Sequence, residues 1–286
     1  MRYEAPESLD RAVALLAAAN GDARVLAGGT DLLVQMRADI VEPELIVDIK
    51  KIADTRAVSR EGGGWRIGAA ATGAELKENA ALKAEWPGVV EAANLIGSTQ
   101  IQGRATLGGN LCNGSPAADS VPALIAAGAI ATAAGPGGRR DIPVEDVMIG
   151  PRQLSLRKGE FVVSFLLPPR PKGSADAYLR FIPRTEMDIA VVGSGVNLTV
   201  DGSGKITAAR VSLGAVAAKV LLVPEAARAI VGTSLDEAAQ AALEAAARAV
   251  CRPIDDKRGT VEFRTDVAGV LTRRAALIAL ERARSR

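Results

Sequence analysis

The chain has 286 residues, with 35 Lys and Arg against 33 Asp and Glu and a formal net charge of +2. That balance, with no concentrated basic run, argues against nucleic acid or an anionic membrane surface as the main partner. Histidine is absent and the only cysteines are Cys112 and Cys251, which excludes Ser-His-Asp and Cys-His catalysis, a disulfide framework and a four-cysteine iron–sulfur cluster in this chain. Redox chemistry here has to come from a bound organic cofactor or from another chain. At roughly 100–200 residues per domain, the length predicts two domains. No stretch reaches the ~18 apolar residues of a membrane span, and MRYEAPESLD lacks the apolar middle of a secretory signal, so a cytoplasmic setting is expected.

In chain order, Pro6 and Ser8 open a predicted helix with Ala12, Val13, Leu15 and Leu16 on one face, stopped by Asn20-Gly21. Arg24 to Ala27 reads as a strand, Gly28-Gly29 turns the chain, and Thr30 or Asp31 caps a helix to about Arg37. Strands follow at Leu45–Asp48 and Trp65–Ala70, with a helix from Thr72 and a buried helix over 88–97. Ser98 to Pro116 lacks periodicity and is rich in Gly, Asn, Ser and Thr, which predicts an ordered functional loop. Ala118–Ala127 reads as a helix and Phe161–Leu167 as a strand. The sequence PPRPKGSADA, Pro168 to Ala177, is the linker candidate. Beyond it, Tyr178–Ile182, Ala190–Val200 and Ile206–Leu213 read as antiparallel strands, and Leu235–Val250 and Val267–Arg282 as alanine-rich helices.

Two glycine-rich stretches stand out: VLAGGTDLL, Val25 to Leu33, and RATLGGNLCNGSP, Arg104 to Pro116. Each holds a Gly-Gly pair with threonine within two positions. Successive N–H groups in such turns converge into an anion-binding nest, and side chains such as Thr106, Asn110, Asn113 and Ser115 add hydrogen bonds. Two facing nests would clamp a diphosphate. Neither stretch has the G-x-G-x-x-G spacing or a P-loop lysine. A single Gly-Gly turn reads first as a tight strand–helix connection; the two together, with the long polar loop, tip the reading toward a ligand. Cys112 and Cys251 read as small apolar fillers, and Trp65 and Trp86 as packing residues.

The order VLAGGTDLL, IQGRATLGGNLCNGSPAADS, IGPRQL, GEFVVSFLLP, RFIPRTEMDIAVVGSGVNL and LGAVAAKVLLVPEA resembles the FAD-binding medium subunit of the molybdenum hydroxylases, the xanthine dehydrogenase and carbon monoxide dehydrogenase family. The resemblance spans nearly the whole chain. It implies an α+β fold: a two-part FAD-binding domain of the vanillyl-alcohol-oxidase type over 1–170, then a smaller domain over 177–286 with a three-stranded antiparallel sheet and helices. It assigns Val25, Leu26, Ala27, Gly28, Gly29, Thr30, Asp31 and Leu32, with Thr106, Leu107, Gly108, Gly109 and Asn110, to the FAD diphosphate. Asp119 matches an acidic position that helps bind FAD. Val162 and Ile96 match apolar wall positions. Arg180 stands where the family commonly has lysine and would bring positive charge to the flavin edge. Asp188 falls on a loop near the flavin ring, where it either touches the ring or caps the loop. No metal ligand and no acid–base residue is implied in this chain.

By the same resemblance, a large subunit would hold the molybdenum–pterin and a small subunit two [2Fe–2S] clusters, in a dimer of heterotrimers. Electrons would pass through the FAD here to an external acceptor such as NAD or a quinone. Two departures stand out. The cysteine-bearing insertion of the 4-hydroxybenzoyl-CoA reductases is absent, and Thr30-Asp31 replaces the histidine-serine pair usual in carbon monoxide dehydrogenases. Two alternatives stay open: a free-standing FAD-dependent oxidoreductase without a molybdenum partner, and a non-enzymatic adaptor that has lost the cofactor.

Overall fold

The computed structural model describes residues 1–286. The N-terminal segment builds a small parallel sheet from β1 (Arg2–Glu4), β2 (Ala23–Leu26) and β3 (Leu45–Asp48), in the order β1-β3-β2. Parallel neighbours need crossovers, and helices α1 (Leu9–Ala18) and α2 (Leu32–Arg37) lie in them. The Ser8 hydroxyl caps α1 by accepting the Arg11 N–H at 3.3 Å. Ala12, Leu15 and Leu16, spaced i, i+3, i+4, turn inward and pack with Val47, Ile49 and Phe161. By contrast, α2 buries none of its residues; Asp31 occupies its N-cap position without a side-chain capping bond.

The chain then passes α3 (Ala53–Arg56) into a hairpin of β4 (Val58–Glu61) and β5 (Gly64–Gly68). With β6 (Ile130–Gly135), β7 (Gly138–Pro143) and β10 (Phe161–Leu167) these form a five-stranded antiparallel sheet, order β4-β5-β10-β6-β7. The excursion from β5 to β6 is helical: α4 (Gly73–Glu78), α5 (Ala80–Glu85), α6 (Pro87–Ala93), α7 (Thr99–Gln102), α8 (Leu107–Cys112) and α9 (Ser120–Ala127). Thr72 and Glu75 make a reciprocal capping box at α4. The Ser98–Pro116 stretch read as one long loop thus contains two short helices. Helix propensity is poor there, but Leu107 and Leu111 are buried and pin α8 to the core. All eight residues of α9 are buried. A short α10 (Val144–Val147) and a two-residue hairpin, β8 (Met148–Gly150) and β9 (Gln153–Leu154), precede β10.

The last part is an antiparallel sheet covered by helices. Strands β11 (Ser174–Phe181), β12 (Val192–Val200), β13 (Ile206–Gly214) and β14 (Leu221–Leu222) lie in sequence order. The sheet therefore has four strands where the sequence reading expected three; β14 is two residues long and gives no period-2 signal. Helices α11 (Pro224–Ile230), α12 (Glu237–Ala249) and α13 (Val261–Arg284) pack on one face. The other face receives α9, where Gly195 and Gly214 permit the approach: a Cβ on Gly195 would lie 2.5 Å from the Pro122 carbonyl oxygen. The linker candidate is already strand from Ser174 onward. Within it Asp176, buried, pairs with Arg170 at 2.9 Å and accepts the Val89 N–H of α6 at 3.0 Å. The Arg170 guanidinium lies 3.7 Å from the Trp86 ring, and Arg282 of α13 pairs with Glu91 of α6. No helix is long and apolar enough to cross a membrane.

Candidate functional site

The two glycine bends, far apart in sequence, meet at one cleft of about 650 Å³ between the parallel sheet, α2, α8 and the β8–β9 hairpin. That volume lies within the range of small-molecule sites. Gly28 makes the meeting possible. A Cβ there would sit 2.0 Å from the carbonyl oxygen of Arg104, so the first bend rests directly on the backbone that leads into the second. Gly28→Ala is therefore expected to separate the bends and destabilise the fold by roughly 1–3 kcal/mol through overpacking. Thermal unfolding with FAD titration checks this; unchanged melting and affinity would contradict it.

The first bend is built to present donors. It leaves β2 at Leu26, passes Gly29 in the left-handed region at φ +78°, and enters α2. Lys50 donates to the Ala27 carbonyl at 3.0 Å and to Asp48 at 2.8 Å, and the Tyr3 hydroxyl donates to Asp48 at 2.6 Å, which fixes the bend from behind. The N–H groups of Ala27, Gly28, Gly29, Thr30, Asp31 and Leu32 make no hydrogen bond within the chain, and all six residues line the cleft. A run of unengaged amides along a concave wall is an anion-binding nest.

The second bend differs from the sequence expectation. Three of its amides are used internally: Gly108 donates to the Ala69 carbonyl at 3.1 Å, Gly109 to the Thr106 hydroxyl at 3.0 Å, and Asn110 to the Thr106 carbonyl at 3.0 Å. Thr106 is thus the N-cap of α8. What this bend offers is space and one side chain. A Cβ on Gly109 would meet only the Thr106 hydroxyl oxygen, at 3.0 Å, whereas one on Gly108 would press on the Ala69 carbonyl oxygen at 2.6 Å. The Asn110 carbonyl accepts from the Ser120 N–H at 2.9 Å and the Ser120 hydroxyl at 2.7 Å. A backbone N–H can only donate, so the amide orientation is set and the Asn110 NH₂ is left for the cleft, which Asn110 lines.

Of the remaining expected residues, Ile96 and Val162 line the cleft, together with Leu154, Leu156 and Phe161. Leu26 lies in β2 and Leu107 in the core, and neither lines it. Asp119 and Arg180 form a separate buried group: Arg180 donates to Asp119 at 2.8 Å and the Tyr178 hydroxyl donates to it at 3.3 Å. Burial pushes the Asp119 carboxyl up to about 6 against the pull of Arg180 and Tyr178. The Arg180 charge is thus tied to a carboxylate rather than presented on the cleft wall. Asp188 is also off the cleft. It accepts from Arg184 at 3.1 Å, Arg258 at 3.0 Å and the Ile189 N–H at 2.8 Å, which hold its carboxyl down at about 2. These contacts tie Asp188 to its own loop and to Arg258.

Cys112 lines the cleft, but burial pushes its thiol up to about 12, so it stays protonated and inert. Sequence reasoning did not place Gln35, Arg152 or Glu160 in the site, yet all three line the cleft, as does Asn113, which the sequence offers as a hydrogen-bonding side chain of the second bend. Gln35 donates to Asn113 at 2.9 Å and ties α2 to the second bend. The signal available for Arg152 was its place in IGPRQL, a conspicuous motif with no role attached.

The arrangement suits a ligand with an anionic centre and an extended apolar part. Comparison with known proteins agrees. Residues 1–170 match the family model described as the FAD binding domain in molybdopterin dehydrogenase, and residues 177–279 that of the CO dehydrogenase flavoprotein C-terminal domain. The chain is 36% identical to the carbon monoxide dehydrogenase medium chain of Afipia carboxidovorans over 284 residues, covering 99% of this chain and 96% of that one. It is 35% identical over 217 residues to the xanthine dehydrogenase FAD-binding subunit of Escherichia coli O157:H7, covering 75% and 74% respectively. A solved structure of reconstituted CO dehydrogenase from Oligotropha carboxidovorans superposes with a TM-score of 0.94 at 36% identity, over 99% of this chain and 98% of that one. The cleft fits the cofactor these names carry, since free amides face its wall and Gly109 leaves room beside them, and the chain belongs to the family of FAD-binding medium subunits of the molybdenum hydroxylases.

Proposed function

We propose that this chain is the electron-transfer subunit of a molybdenum hydroxylase, holding FAD between [2Fe–2S] clusters of a small partner and an external acceptor such as NAD or a quinone. Bound FAD would supply the ability to exchange electrons singly or in pairs. The observation that carries the reading is the run of unengaged amides from Ala27 to Leu32 on the cleft wall. Those amides would hold the diphosphate, with the Asn110 NH₂ as a further donor. Ile96, Leu154, Leu156 and Val162 would form the apolar wall that keeps water from the ring. Leu26 and Leu107 would act from behind, as packing for the two bends, and Asp119 with Arg180 as a buried brace beside them. Asp188 would shape its own loop.

The chain has no histidine, and its one cleft thiol is held protonated; in this reading the organic substrate is transformed on a partner that carries the molybdenum–pterin. Exposed apolar side chains, among them Leu33, Val34 and Ile40 after the first bend and Met187, Ile189 and Phe263 in the last part, offer surface for partner subunits. We assign the two parts to 1–170 and 177–286, the assembly to a dimer of heterotrimers and the compartment to the cytoplasm.

Affinity purification of the tagged chain from its native host tests this. A visible flavin spectrum at one FAD per chain, with co-purifying large and small subunits containing molybdenum and iron, is the expected result. A colourless chain that also fails to bind added FAD would refute the reading. Flavin without any partner subunit would favour the free-standing oxidoreductase instead.

A further inference from the structure

The cleft wall carries four charged side chains, Arg24, Asp31, Arg152 and Glu160. Arg24 pairs with Asp22 at 2.9 Å and Glu160 with Arg140 at 2.8 Å. The Arg152 guanidinium has no carboxylate within pairing distance and donates to nothing in the chain. Burial raises the Asp31 carboxyl, which weakens its competition for a cation. Arg152 is therefore the one cleft cation left to meet an anion.

Its backbone is set with unusual care. Arg152 is the second residue of the two-residue Pro151-Arg152 turn between β8 and β9, with φ +57°, a position where glycine or asparagine is usual. Its N–H donates to the Gly114 carbonyl at 2.8 Å. Gly114, itself at φ +66°, packs so closely that a Cβ would lie 2.8 Å from the Arg152 Cα. The turn is thus pressed against the end of the second glycine bend, next to Asn113. A large cationic residue kept in a left-handed conformation by its surroundings is a mark of a functional position.

We infer that Arg152 is a phosphate-binding residue of this cleft: its guanidinium takes an oxygen of the dinucleotide diphosphate whose other oxygens face the amides of Ala27 to Leu32. The inference rests on the FAD reading above. The amides supply dipoles but no net charge, whereas a diphosphate carries two negative charges; Arg152 supplies a formal counter-charge and a planar fork of donors.

The test uses the full chain freed of flavin, as wild type, Arg152→Asn and Arg152→Lys, titrated with FAD and with riboflavin at low and high salt. Asparagine is chosen because it tolerates the left-handed backbone. Arg152→Asn should weaken FAD binding about tenfold or more and flatten its salt dependence, Arg152→Lys should recover part of both, and riboflavin, which has no phosphate, should bind all three alike. Equal FAD affinity and salt dependence in wild type and Arg152→Asn would overturn the inference. So would an equal loss for FAD and riboflavin, which would make Arg152 a support for the turn. A wild type that binds no FAD would instead defeat the functional reading on which the inference rests.

Discussion

Gly109→Val is expected to abolish FAD retention while leaving the fold in place. The glycine sits in the first turn of α8 with open space before it; an added Cβ meets only the Thr106 hydroxyl oxygen, at 3.0 Å. A hydroxyl can give the few tenths of an ångström required, and valine in a helix is no worse than glycine. The two methyl groups would then extend into the cleft beside the unengaged amides. Loss of even two charge-assisted hydrogen bonds at about 1.5–3 kcal/mol each would weaken binding by roughly a hundredfold or more. Visible absorbance of the purified variant, with far-ultraviolet circular dichroism and a melting curve close to wild type, checks the result; stoichiometric bound flavin would contradict it. Gly108→Ala is the contrasting control. There the methyl would press on the Ala69 carbonyl oxygen at 2.6 Å, so the expected defect is in folding rather than in binding alone.

The largest stability effect is expected at Arg180→Ala. The ion pair with Asp119 is buried, its side chains 5% and 10% exposed. Removing the cation leaves a buried carboxylate without its counter-charge, a change that destabilises by about 3–5 kcal/mol. The pH dependence follows from the direction of the shift. Burial already places the Asp119 carboxyl at about 6, above its unfolded value. Folding therefore becomes less favourable as pH rises from the unfolded value through the folded one, and stays so above it. Without Arg180 the carboxyl rises further, so the penalty continues to grow toward alkaline pH. The difference in melting temperature between variant and wild type should be largest near pH 8 and should shrink toward pH 5. A variant as stable as wild type at pH 8, or a gap independent of pH, would show that the pair contributes little.

Much of the fold could be read from the chain. The apolar run of β10 was placed at its observed ends, Phe161 and Leu167, because a strand buried on both faces reads as a continuous hydrophobic stretch. The face of α1 followed from the i, i+3, i+4 spacing of Ala12, Leu15 and Leu16. The helices α7 and α8 were hidden, since four- and six-residue helices rich in Gly and Gln are held by tertiary contacts and caps. At the site, the sequence showed two similar Gly-Gly bends but not their different roles. Which amide is already engaged depends on Ala69, far from Gly108 in sequence, and on how the Thr106 side chain turns. The pairing of Arg180 with Asp119 bridges 61 positions and is equally invisible to local pattern. Resemblance supplied positions; the structure shows Asp188 bonded to Arg184, Arg258 and the Ile189 N–H and places Arg152 at the cleft.

The clasp made by Arg170, Asp176 and Trp86, with Arg282 reaching back to Glu91, has a mechanical consequence. The C-terminal sheet lends Tyr178, and the residue just before β14 lends Val220, to the core around the five-stranded sheet, and the last helix is fastened to the helical excursion of the first part. The two parts cannot swing open like a hinged jaw without breaking these contacts, of which the Arg170–Asp176 pair is buried and the Arg282–Glu91 pair partly exposed. Calorimetry should accordingly record one cooperative melting event for the whole chain, and either fragment expressed by itself should behave as an expanded, protease-sensitive polypeptide.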